Sequence, residues 1–140
     1  MTLKSFFPND MFSSSEGELS LDIIKAKLNW FELQIHELHW QTESLAEHLC
    51  LGDAYNTVFT VKDEIVEKIM GYTRTRTKAM PIDTIKNYSM GMPDIIISEL
   101  ILFAKQLESF GSSNNMPDIE NIAQSLSGDA SQIKYRLTLS

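Results

Sequence analysis

Leu21, Ile24, Leu28, Phe31, Ile35 and Leu38 recur at steps of three and four residues, which places all six on one stripe of an α-helix that begins near Ser20. An apolar stripe of that length is stable only when another element covers it, and the rest of the chain supplies more stripes of the same period rather than the alternation of a strand. Ser44-Leu45-Ala46-Glu47 has the Ser-x-x-Glu form of a capping box and opens a second helix. Its stripe runs through Leu45, His48, Leu49, Tyr55, Phe59, Ile65, Val66, Ile69 and Met70 and stops near Gly71. Gly52 is a poor residue for a helix interior, so a competing boundary exists: the first helix continues to Cys50 and Asp53 caps the next. The capping box favours the earlier break, at Ser44.

Thr73 to Gly91 reads as a long connection with a short helix inside it, over Ile82 to Tyr88. Pro93 opens a third helix to about Phe110, Gly111 to Asn115 make a turn, and Pro117 opens a fourth to about Leu137, blemished by Gly128. The expected fold is all-α: an antiparallel four-helix bundle over residues 19–140, with a short extra helix between helices two and three. Residues 1–18, with Pro8, Ser13-Ser14-Ser15 and Gly17, read as a flexible lead-in.

The chain carries 19 acidic against 12 basic residues, a net charge of −7, so its average surface repels nucleic acid and anionic lipid and favours cations. The basic patch Arg74, Arg76, Lys78 is too short to reverse that, and no DNA binding is expected. The longest apolar stretch, Ile95 to Ala104, is broken by Ser98 and Glu99 and falls short of the ~20 residues of a membrane span. One cysteine, Cys50, cannot form an internal disulfide, and no charged start followed by an apolar run marks a leader. A cytoplasmic location is the expectation.

His36, His39 and His48 cluster, and Asp63, Glu64 and Glu67 follow them. Imidazole with carboxylate suits iron, manganese or zinc, and bundles often hold such sites on facing helices. Asp63 and Glu67 are four apart and therefore neighbours on one helical face. His48 stands about 60° from Asp63 in azimuth if one helix carries both. The plainer reading makes Asp63 and Glu67 solvated carboxylates beside Lys62 and Lys68, His48 a satisfied edge histidine, and His36, which shares a face with Glu32, a solvated polar residue. Trp30 and Trp40 read as core or interface aromatics. The Glu-x-x-His pair of intra-bundle di-iron proteins is absent, since Leu33, His36 and Leu45 precede the histidines by three.

Leu38-His39-Trp40, His48, Asp63-x-x-x-Glu67-Lys68 and Gly71, followed by Pro81-Ile82-Asp83-Thr84-Ile85-Lys86-Asn87-Tyr88, resemble the mini-ferritins of the Dps type over about residues 20 to 110. The resemblance extends to short Dps-like chains of bacteriophages. It implies a ferritin-like bundle that forms homo-oligomers, dimers at least and dodecamers in that family. His39 and His48 of one subunit, with Asp63 and Glu67 of its two-fold mate, would then bind ferrous iron, oxidise it with peroxide and store the product. There are departures: Lys68 stands where the family has Arg, the turn between His39 and His48 is shorter, the Lys-rich DNA-holding tail is absent, and the family's further acid falls on Gly52. Asp53 or Glu47 could replace that acid only through altered geometry, and an acid restored at position 52 is expected to strengthen the site.

Two other functions fit the same residues. One is a non-catalytic assembly protein that keeps the Dps-like fold around a degenerate site. The other is an adaptor bundle that offers Ile95-Ile96-Ile97, Leu100 and Ile101 to a different protein.

Overall fold

Ser20 accepts a hydrogen bond from the Ile23 N–H on its hydroxyl at 3.3 Å and so caps the first helix, α1, Leu21–Gln41. The structure is a computed structural model that describes residues 19–139; the lead-in expected over 1–18 lies outside them. Three residues, 42–44, separate α1 from α2, Leu45–Thr73. The break therefore falls at Ser44, whose hydroxyl accepts the Glu47 N–H at 3.2 Å, and the alternative boundary near Cys50 is excluded. Gly71 does not end α2; the helix continues to Thr73, and Arg74 closes it in the left-handed conformation, φ 57°. Helix α3 spans Met92–Ser113 behind Gly91, whose φ of 83° suits glycine, and α4 spans Pro117–Leu137.

α1 packs beside α2 and α3, and α4 beside α3 and α2. The crossover over residues 74–91 climbs α1 from its first turn to its last, so α3 starts level with the end of α1 and every adjacent pair is antiparallel. Ile24, Leu28, Phe31, Ile35 and Leu38 face Leu51, Ala54, Val58, Ile65 and Ile69 of α2, Ile96, Leu100, Phe103 and Leu107 of α3, and Ile119, Ala123, Leu126 and Ile133 of α4 in one buried core. Trp30 is fully buried there.

The crossover contains no helix over 82–88, contrary to the sequence expectation. Side chains of α1 occupy the backbone groups that a helical turn would need. Gln34 holds Lys86 at both ends, donating to its carbonyl at 2.9 Å and accepting its N–H at 2.7 Å. The Trp30 indole N–H donates to the Thr84 carbonyl at 3.2 Å, and Gln41 Oε1 accepts the Tyr88 N–H at 2.6 Å. Asp22 fixes the lower end by accepting from the Thr77 hydroxyl and the Lys78 N–H, bonds that hold its carboxyl below the usual range.

Gly111 lies inside α3 rather than in a turn, against the first turn of α4. A Cβ there would stand 2.7 Å from the Glu120 backbone nitrogen, so Gly111→Ala is expected to cost about 1–3 kcal/mol through overpacking. A Cβ at Gly128 meets nothing within 4 Å, and Gly128→Ala should stabilise by about 0.5–1 kcal/mol. Urea denaturation of the two variants should therefore shift in opposite directions.

Lys27 is 1% exposed in α1, its ammonium 5.6 Å from the centroid of the Phe103 ring, and burial pushes its pKa down to about 8. A lysine whose folded pKa lies below its unfolded value penalises folding fully below the folded pKa, and the penalty is relieved as pH rises to the unfolded value. Between about pH 8 and 10.4 the parent should gain up to roughly 3 kcal/mol that a Lys27→Met protein does not gain. Denaturant titrations of both proteins at pH 7, 8.5 and 9.5 measure the difference.

Candidate metal centre

His39 sits in the last turn of α1 and His48 in the first turn of α2, and the three-residue turn brings them face to face. Their rings stack with centroids 3.8 Å apart and planes inclined by 17°. His39 Nδ1 lies 2.7 Å from the His48 carbonyl oxygen, and His48 Nδ1 lies 2.8 Å from the His39 carbonyl oxygen. A carbonyl oxygen only accepts, so each Nδ1 carries a proton, and in the neutral tautomer this selects it is Nε2 that holds the lone pair. Neither Nε2 has a hydrogen-bond partner among the described residues. Fixing one imidazole nitrogen with a carbonyl is the usual way a protein presents the other to a metal. Because a lone pair lies in its ring plane, rings this nearly parallel address two adjacent positions rather than one shared ion.

The turn is held by a network the sequence did not announce. Glu47 does not complete the reciprocal capping box; its carboxylate accepts from the Thr42 hydroxyl at 2.6 Å and the Tyr88 hydroxyl at 2.7 Å, while Ser44 N–H donates to Thr42 Oγ1 at 3.1 Å. The Glu47 carboxylate raises the pKa of the Tyr88 hydroxyl. Asp53 is paired with Arg136 at 2.6 Å. Both candidate replacements for an acid at position 52 are thus committed elsewhere.

Asp63 and Glu67 are exposed, and they do not meet the histidines within the chain. Fifteen residues of helix separate Asp63 from His48, about 22 Å of rise. Among the described residues, no three or more His, Cys, Asp or Glu side chains converge within one chain. On a helical wheel, however, Leu45, Leu49, Phe59, Asp63 and Glu67 fall within about 40° of one line along α2. The sequence placed Leu45, Leu49 and Phe59 on the core stripe, and the structure corrects this. They face outward, Leu45 72% exposed and Phe59 54%, while Leu51, Ala54, Val58, Ile65 and Ile69 form the inner face. α2 carries two apolar stripes, and the sequence reading merged them.

On α1, Leu33 and Trp40 are exposed as well, the latter 63%. His36 is not a solvated polar residue: its ring lies 3.8 Å from both Trp40 and Tyr55, and burial and the neighbouring His39 push its pKa down. The Ile95-to-Ile101 face expected to be open on the third helix is covered instead, with Ile96, Ile97 and Leu100 in the core and Ile95 and Ile101 packed against it. The adaptor reading loses its surface. No protein-family model, curated protein or solved structure matches the chain at a significant level. No helix among the described residues is long and apolar enough to cross a membrane.

Proposed function

We propose that the chain is a Dps-like, ferritin-like subunit that assembles through two-fold pairs. In each pair His39 and His48 of one subunit and Asp63 and Glu67 of the partner subunit bind ferrous iron as substrate. The supporting observation is the stacked histidine pair, whose fixed Nδ1 protons leave two Nε2 lone pairs beside an exposed apolar stripe that runs in line with Asp63 and Glu67. A two-fold axis crossing α2 near residue 56, midway between His48 and the carboxylates, sets His48 of each subunit beside Asp63 and Glu67 of the partner subunit. The same axis covers Leu45, Leu49 and Phe59, an apolar stripe of the kind that marks an interface.

The chemistry follows from the donor set. Neutral imidazole accepts ferrous iron, and the hard carboxylate oxygens favour the ferric product. Two ferrous ions supply the two electrons that, with two protons, reduce one hydrogen peroxide to two waters. Iron storage in a closed dodecamer is the further step that the Dps resemblance carries. Anaerobic ferrous titration of the oligomer, with sedimentation of the same sample, tests the reading. Bound iron on a species larger than 15.9 kDa supports it, and a monomer at micromolar concentration refutes the shared site.

The non-catalytic assembly reading has one specific observation behind it. The His39 carbonyl is among those that α1 leaves unpaired at its C-terminal end, and the His48 imidazole satisfies it. The histidine pair therefore fastens the turn whether or not it binds metal. An assembled oligomer that binds no iron would decide for that reading.

A further inference from the structure

We infer that Gly52 is a positioning residue for the His39 imidazole, so that a side chain at this position removes a metal ligand from the site instead of adding one. The inference rests on the iron-binding reading and starts from the His48 carbonyl. Inside α2 that oxygen accepts the N–H four residues on, which belongs to Gly52. Its second lone pair receives His39 Nδ1–H at 2.7 Å. An imidazole that reaches the second lone pair of a helix-interior carbonyl must pass beside the residue four positions on, and here that residue has no Cβ.

A Cβ built on Gly52 stands 3.0 Å from His39 Cε1 and 3.3 Å from His39 Nδ1, inside ordinary carbon contact of about 3.5–4.0 Å. The His48 ring already lies against His39 at 3.8 Å. Glu47, Thr42 and Tyr88 tie down the turn between the helices, so the backbone does not give way freely. The ring must then give by a few tenths of an ångström, a shift that works against both the stack and the Nδ1 bond. The short turn and the glycine are one arrangement: closing α1 onto α2 in three residues places the His39 ring where a side chain of residue 52 would stand. This reverses the expectation that an acid at position 52 strengthens the site.

Gly52→Ala and Gly52→Asp are compared with the parent and with Gly71→Ala. The last makes the same change in the same helix where a Cβ meets nothing within 4 Å. Solid-state spectra of 15N-histidine-labelled protein should show His39 and His48 of the parent as Nδ1–H tautomers. In Gly52→Ala the His39 signal should leave that tautomer, and ferrous-iron affinity should fall by roughly tenfold or more, as when a ligand loses its supporting bond. The variant should nevertheless melt close to the parent, because the better helix propensity of alanine offsets the weakened fastening of the turn. Gly71→Ala should change neither tautomer nor affinity.

Parental tautomer and affinity in Gly52→Ala would overturn the inference, as would tighter iron binding by Gly52→Asp. A Gly52→Ala protein that melts far below the parent also overturns it, by assigning Gly52 to the fold alone. If the parent binds no ferrous iron, the proposed function falls, and the His39 tautomer by itself decides the role of Gly52.

Discussion

Alanine at Asp63 or at Glu67 is expected to abolish ferrous-iron uptake while leaving the oligomer and its thermal stability at the parental level. Both side chains are exposed and have no hydrogen bond or ion pair among the described residues, so truncating either costs the fold within about 0.5 kcal/mol. At the proposed centre the same change removes one of only two carboxylates. Removing a group that merely supports a metal ligand costs about 10–100-fold in affinity, and removing the ligand itself costs more. Co-expression sharpens the test. His48→Ala and Glu67→Ala subunits each lack uptake alone, but a mixed pair holds one site with both histidines from one subunit and both carboxylates from the other. Recovered uptake in the mixture supports a divided site. If each single variant binds iron like the parent, Asp63 and Glu67 are a solvated surface and the assembly protein is the better account.

The sequence made the bundle legible because helical period, caps and prolines all act locally. Ser20, Ser44, Pro93 and Pro117 mark helix starts within a residue of where they fall. The errors arose where a distant partner overrode a local preference. Residues 82–88 have a helical pattern, yet Trp30, Gln34 and Gln41 of α1 bind their backbone in a non-helical form. Those three stand at one-turn and two-turn steps on α1, a stripe readable in the sequence once a strap is suspected. Gly111 looked like a turn because glycine usually breaks helices, whereas its function is to let α4 approach.

The candidate site was half legible. Spacing brought out His39, His48, Asp63 and Glu67, but it could not show that His39 and His48 bond reciprocally or that Gly52 supports the closeness of the rings. Neither could it separate the inner stripe of α2 from the outer one. On a long helix with apolar residues at many azimuths, only packing against α1 and α4 decides which set is buried.

That outer stripe leads to the second large effect: Phe59→Glu should convert the oligomer to a folded monomer of about 15.9 kDa and remove iron binding at the same time. Phe59 is 54% exposed, so the change leaves the core untouched, and helical content should match the parent. It lies less than one turn from the position where the proposed two-fold axis crosses α2, so each Phe59 packs close to its own copy. Glutamate there removes two aromatic anchors and sets two like charges near each other on a chain that already carries −7. Anchors at an interface centre are worth about 2–4 kcal/mol each, and symmetry counts the change twice. All four proposed ligands, His39, His48, Asp63 and Glu67, remain in the variant, so lost binding could be traced only to lost assembly. A Phe59→Glu monomer that still takes up iron at the parental affinity would place the site within one chain, where Asp63 stands about 22 Å of helix rise from His48 and no shared coordination is possible.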